Sequence, residues 1–142
     1  MSARSKGNAY EREVQVSLEK LGYLVHRAYA SFVRLPSGKA FVRSHDIFGT
    51  FDLVALDPIG SLRFLQITTE SGATERRKKL EAFFLQWGGH VDATFELVVR
   101  YPGNRRGKRI AKRWRLQRIT KDKAGNLRWL EIPSTGTEGV AW

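Results

Sequence analysis

A chain of 142 residues with 42% hydrophobic content is long enough for one packed core, so a single domain spanning 1–142 is expected and wholesale disorder is excluded. Its 25 Lys and Arg exceed its 14 Asp and Glu, and the formal charge of +11 favours a polyanionic partner, nucleic acid by default. The lack of cysteine excludes disulfides, thiolate zinc sites and a cysteine nucleophile, and no apolar run suits a membrane span or signal peptide, so a cytoplasmic protein without a membrane partner is expected.

From Asn8 to Leu21, Tyr10, Val14, Leu18 and Leu21 recur at the spacing of one helical face, so this segment is predicted to be a helix. Ser5 or Asn8 is the expected N-cap, and Gly22 the left-handed residue that ends it. Glu11 falls roughly 65° from the middle of the apolar stripe and Glu13 about 95° away on the other side, so Glu11 is the acid expected to look inward. Tyr23 to Tyr29 reads as a strand. Beyond Ser31, turn residues from Leu35 to Ala40 precede Phe41-Val42-Arg43, a returning strand of a small hairpin.

Phe51 to Leu56 and Ser61 to Thr69 read as two strands joined by the turn Asp57-Pro58-Ile59-Gly60. The first is entered by Asp52 and is otherwise apolar, which suits a central strand covered on both faces. In the second, the period of two puts Phe64, Gln66 and Thr68 on one face and Leu65 and Ile67 on the other. Leu80, Phe83, Phe84 and Trp87 then mark a helix from Thr74 to Trp87, stopped by Gly88-Gly89. Arg76 and Arg77 fall within about 40–60° of its apolar face, at the end nearest Gln66 and Thr68. Phe95 to Tyr101 is a further strand, and Trp114 to Thr120 pairs with Leu127 to Ile132 as a hairpin. Between Arg100 and Arg118 stand nine basic residues and no acid, the main source of the charge excess. The expected fold is therefore α/β: a central mixed β-sheet flanked by helices (1–101), a C-terminal basic β-hairpin (102–133) and a tail (134–142).

Phosphodiester hydrolysis calls for a divalent cation to neutralise charge and activate water, and hard cations such as Mg²⁺ take oxygen ligands. If the first helix packs beside the central hairpin, Glu11, Asp52 and Gln66 meet at the strand ends, and the carbonyl of Ile67 offers a fourth oxygen. The position two after Gln66, where a fixed cation would help, holds Thr68. Asp46 either turns the loop into the strand or joins this site. His26 and His45 lack the partner spacing of a histidine metal site.

Lys6-Gly7-Asn8-Ala9-Tyr10-Glu11-Arg12-Glu13, Gly22 to Ser31, Phe51 to Ala55 and Leu65-Gln66-Ile67-Thr68 resemble, in that order, the landmarks of the PD-(D/E)xK nuclease superfamily. The nearest branch is the archaeal-type Holliday junction resolvases and their phage-like relatives. The resemblance implies a restriction-endonuclease-like core and a Mg²⁺- or Mn²⁺-dependent endonuclease. It also implies a homodimer that cuts branched double-stranded DNA at two symmetric sites, in a prokaryotic cell or phage-infected host. By position, Glu11 matches the helical acid, Asp52 the motif acid, Gln66 the usual glutamate and Ser31 a loop serine near the site.

Two departures stand out: Gln66 keeps an oxygen but no charge, and Thr68 replaces the family's lysine. Arg76 or Arg77 is expected to supply the missing cation, holding phosphate or stabilising charge, because arginine does not act as a base near neutral pH. Lys6, Arg12 and Arg27, with Arg105, Arg106, Lys108, Arg109, Lys112 and Arg113 of the basic stretch, are expected to hold the DNA backbone. Two other readings stay open: a non-catalytic DNA-binding protein on a nuclease fold, and a restriction or repair nuclease of different specificity.

Overall fold

The computed structural model describes residues 3–101, 104–105, 107–109 and 114–133. In chain order its elements are α1 (Ala3–Lys20), β1 (Leu24–Arg27), β2 (Tyr29–Arg34), β3 (Ala40–His45), β4 (Leu53–Leu56), β5 (Leu62–Thr69), α2 (Ala73–Trp87), β6 (Ala93–Arg100), β7 (Asn104–Arg105), β8 (Lys108–Arg109), β9 (Trp114–Lys121) and β10 (Leu127–Ile132). Six strands form one mixed sheet in the order β1-β4-β5-β6-β9-β10, flanked by the two helices, which makes the fold α/β. Only β5 and β6 run parallel, because α2 carries the chain back between them, and the other neighbours are antiparallel. No helix among the described residues is long and apolar enough to cross a membrane.

Strand alternation divides the core into two layers. Leu53, Ala55, Leu65, Ile67 and Val98 pack with Val14 and Leu18 of α1. Phe64, Phe95, Leu97 and Val99 pack with Leu80 and Phe84 of α2. Gln66 shares the face of Phe64, so it lies on the α2 side of the sheet. The strand covered on both faces is β5 rather than β4: five consecutive residues of β5 are buried, whereas Val54 is half-buried and Leu56 exposed. The physical reason is sheet order, since β4 has only the short edge strand β1 beyond it.

Three local expectations change. Helix α1 begins at Ala3, so Ser5 and Asn8 lie inside it and do not cap it, while Gly22 takes the left-handed conformation at φ 93°. The strand predicted from Tyr23 to Tyr29 breaks at Ala28, whose amide donates to the carbonyl of Asp52 at 2.8 Å. Beyond that break the chain leaves the main sheet as a β2–β3 hairpin, with Tyr29 opposite His45 and Arg34 opposite Ala40. The C-terminal pair β9–β10 belongs to the main sheet, because β9 also pairs with β6. A buried ion pair stitches this half together: Arg63 donates to both oxygens of Glu96 at 2.7 and 2.8 Å, and Arg118 adds a contact at 3.3 Å.

Candidate active site

The register of β4 on β5 builds the centre of the site. Leu53 pairs with Leu65, and the amide of Asp52 donates to the Leu65 carbonyl at 2.9 Å, which sets Asp52 beside Gln66. Asp52 Oδ2 accepts from the Ile67 amide at 2.8 Å and from Gln66 Nε2 at 3.0 Å. Only 7% of Asp52 is exposed. Burial pushes its carboxyl up to about 7, against the pull of the Ile67 amide, and the negative charges of Glu11 and Asp46 push it further, with Arg76 opposing.

Glu11 approaches from α1 on the other side of the sheet. Its carboxyl is also raised, chiefly by burial, with Arg27 pulling it down and Asp46 pushing it up. Glu11, Asp46 and Asp52 are therefore within electrostatic reach of one another, with Arg27 acting on Glu11 and Arg76 on Asp52. The bend that carries the chain from Asp46 to Asp52 includes Phe48 at φ 54°, the only non-glycine residue with positive φ among the described residues. Glu11 and Arg27 line a polar cleft of about 610 Å³, together with Asn8, Gln15, His26 and Tyr29. A larger apolar hollow, about 720 Å³ between Phe48, Phe83, Trp87 and Phe95, is lined by none of these charged groups.

Gln66 tests whether a metal fits here. It is 2% exposed, and its Oε1 has no hydrogen-bond partner, an omission that costs about 1–3 kcal/mol in a buried acceptor. A partnerless amide oxygen beside a carboxyl raised by burial is a donor set suited to a hard divalent cation. Among the described residues no group of three or more His, Cys, Asp or Glu is arranged to hold a metal. The Ile67 N–H donates to Asp52, a contact separate from the carbonyl anticipated as a ligand.

No family model, curated protein or solved structure matches this chain.

The remaining candidates separate. Thr68 Oγ1 donates to the carbonyl of Thr69 at 3.3 Å. A Cβ on Gly72 would come within 2.6 Å of that hydroxyl, so the glycine is what lets the start of α2 close onto the end of β5. Of the two arginines in the first turns of α2, Arg77 is committed elsewhere: its Nε and Nη2 donate to Gln117 Oε1 at 2.9 and 2.8 Å, and Gln117 Nε2 donates to Glu131 at 3.2 Å. Arg77 is thus a strut to β9, and Arg76 is the cation that acts on Asp52. Successive helical residues diverge by about 100°, so both could not face the strand end together.

Ser31 sits on β2 with its Oγ 2.6 Å from His45 Nε2, and Tyr29 stacks on the His45 ring at 4.5 Å. Sequence spacing gave no reason to join Ser31 to His45, because the contact runs diagonally across a hairpin. Arg12 is exposed on α1, while Arg27 is half-buried at the cleft. Arg106, Lys112 and Arg113 lie outside the described residues, and of Lys6, Arg105, Lys108 and Arg109 only the backbone is described. Three cations of the basic stretch serve the fold. Arg100 lies over the rings of Tyr10 and Trp114 and meets Glu13 at 3.3 Å, Arg115 pairs with Glu131 at 2.6 Å, and Arg118 reaches Glu96.

Proposed function

We propose that this chain is a Mg²⁺- or Mn²⁺-dependent endonuclease of the PD-(D/E)xK type that resolves four-way DNA junctions by phosphodiester hydrolysis. The observation that carries the reading is the buried Asp52 carboxyl, held up at about 7, beside the partnerless oxygen of Gln66. A divalent cation bound there supplies charge neutralisation and an acidified water. Asp52 is fixed for that role by the Ile67 amide and Gln66 Nε2, and Glu11 offers the second carboxylate from the cleft wall. Arg76 holds a phosphate oxygen or stabilises developing charge without exchanging a proton. Ser31, held by His45, follows Tyr29 and Ala30 of the cleft wall in the chain, and Arg12 and Arg27 bind the DNA backbone with the basic stretch. Two symmetric cuts need two copies of the site, so the reading includes a homodimer.

The test is incubation of the purified chain with a four-way junction, a fork and a linear duplex, with and without Mg²⁺ or Mn²⁺. Metal-dependent cutting of the junction that disappears in Glu11→Gln and Asp52→Asn is the expected result. A second reading, a DNA-binding protein that kept the fold without the chemistry, is favoured by one observation: the Thr68 hydroxyl turns back to its own chain where the family carries a lysine. Tight binding with no cutting in either metal would select it, and preferential cutting of duplex would select a nuclease of another specificity.

A further inference from the structure

The β2–β3 hairpin stands apart from the six-stranded sheet. It forms a two-stranded sheet of its own, and such a sheet is marginal in water unless something covers it. Both of its faces carry exposed apolar side chains. Phe32 (67% exposed) and Val42 (40%) face each other on one side, and Phe41 (46%) with Tyr29 (63%) lies on the other. At about 3.3 Å per residue the hairpin reaches roughly 20 Å from Tyr29 to its tip. Its base is tied to the candidate site through the Ala28 amide on the Asp52 carbonyl, and the Ser31–His45–Tyr29 contacts hold its two strands together at that end.

Charge says what covers it. From Lys20 to His45 the chain carries Lys20, Arg27, Arg34, Lys39 and Arg43 and no acid. A cationic, aromatic surface that begins at the proposed cleavage site is complementary to nucleic acid rather than to a neutral protein face. A ribbon that reads base edges in a groove needs hydrogen-bonding side chains at its centre, whereas this one pairs Phe32 with Val42 and Val33 with Phe41 there and carries its cations Arg34, Lys39 and Arg43 around them. Apolar side chains act on DNA by wedging between base steps and stacking on bases that have left the helix.

We propose that the β2–β3 hairpin is a wedge for branched DNA, with Phe32 and Phe41 stacking on bases unstacked at the branch point and Arg34, Lys39 and Arg43 holding the flanking phosphates. The proposal deepens the nuclease reading by naming what the site recognises: a duplex whose base stack is already interrupted.

The experiment uses the full chain in EDTA, so that cutting plays no part, with four-way junctions carrying 2-aminopurine beside the branch. Wild type should raise 2-aminopurine fluorescence on binding. Phe32→Ala/Phe41→Ala should lose that rise and roughly 5- to 150-fold in junction affinity per stacked base lost, with affinity for linear duplex unchanged. Phe32→Trp should retain the signal, and because both positions are exposed the thermal midpoint should hold in every variant. An unchanged junction-to-duplex affinity ratio and unchanged fluorescence in the double variant would overturn the proposal. So would a double variant that changes from dimer to monomer by light scattering, since the hairpin would then be covered by a second copy. If wild type cuts nothing with Mg²⁺ or Mn²⁺ yet gives the fluorescence rise that the double variant lacks, the wedge stands and the nuclease reading alone falls.

Discussion

Replacing Asp52 by Asn isolates the buried charge on which the site depends. The carboxyl titrates at about 7 in the folded chain against an ordinary 3.8, so between these values the folded state keeps a proton that the unfolded state has released. Stability from this residue is therefore complete below pH 4, falls as pH rises, and levels off above pH 7. At about 1.4 kcal/mol per pH unit the whole interval amounts to about 4 kcal/mol. That is a large share of the roughly 5–15 kcal/mol that holds a domain of this kind. The variant keeps the shape and an oxygen for the Ile67 amide, yet has no proton to lose. Urea unfolding of both proteins in EDTA at pH 4, 6 and 8 measures the difference. Asp52→Asn should gain on wild type by up to about 4 kcal/mol from pH 4 to pH 8, although Glu11, whose carboxyl is also raised, leaves some of the same slope in both proteins. A stability gap independent of pH would refute the claim that burial strains this carboxylate.

The metal reading has a stability signature of its own. Mn²⁺ at about a hundred times its dissociation constant should add about 2.7 kcal/mol at pH 8, or roughly 10 °C in thermal midpoint, and should fail to do so in Asp52→Asn. The two arginines of α2 should part company. Arg76→Ala should slow junction cutting roughly 100-fold at unchanged stability, whereas Arg77→Ala should cost about 1–3 kcal/mol in urea unfolding, by stranding Gln117 Oε1, at an unchanged cutting rate. Glu96→Ala should cost about 3–5 kcal/mol, since it leaves Arg63 charged and buried, and partial recovery in the double variant with Arg63→Met, read by thermal unfolding, would confirm the pairing.

Much of this arrangement was legible in residue order. The 3.6-residue periodicity around Val14 and Leu18, and around Leu80 and Phe84, marked both helices, and the two-residue period placed Gln66 and Thr68 on one face of β5. Contacts that depend on register were not legible. The amide of Ala28 is drawn away from β1 by the carbonyl of Asp52, which lies far along the chain, so the hairpin read from Phe41-Val42-Arg43 has its first strand at Tyr29–Arg34, where the sequence showed a continuation of β1. The Ser31–His45 contact depends on the same hairpin register. Nor could sequence divide the basic stretch into cations that serve the fold and cations that remain available. The acids that pair with Arg100 and Arg118, Glu13 and Glu96, lie on α1 and β6.

On the proposed nuclease reading, what distinguishes the site is an amide at position 66 where the nuclease superfamily has a carboxylate. A glutamate there would place another negative charge against Asp52, which burial and the charges of Glu11 and Asp46 already oppose. The amide instead donates to Asp52 through Nε2. With Asp52 ionised, the reverse orientation would set two acceptor oxygens 3.0 Å apart, so electrostatics then turns Oε1 away from Asp52, where it is left without a partner. On the proposed reading one residue thus fixes the carboxylate and offers a ligand oxygen, with one unit of negative charge fewer than a glutamate would bring. A site with less negative charge holds a divalent cation less tightly and depends more on fixed geometry. It also leaves Arg76, reaching in from α2, a smaller opposing field in which to hold phosphate than it would meet beside a full set of acids. On the proposed nuclease reading, the departures at positions 66 and 68 are therefore linked: with no charge at position 66, a cation supplied from the helix can take the place of one supplied from the strand.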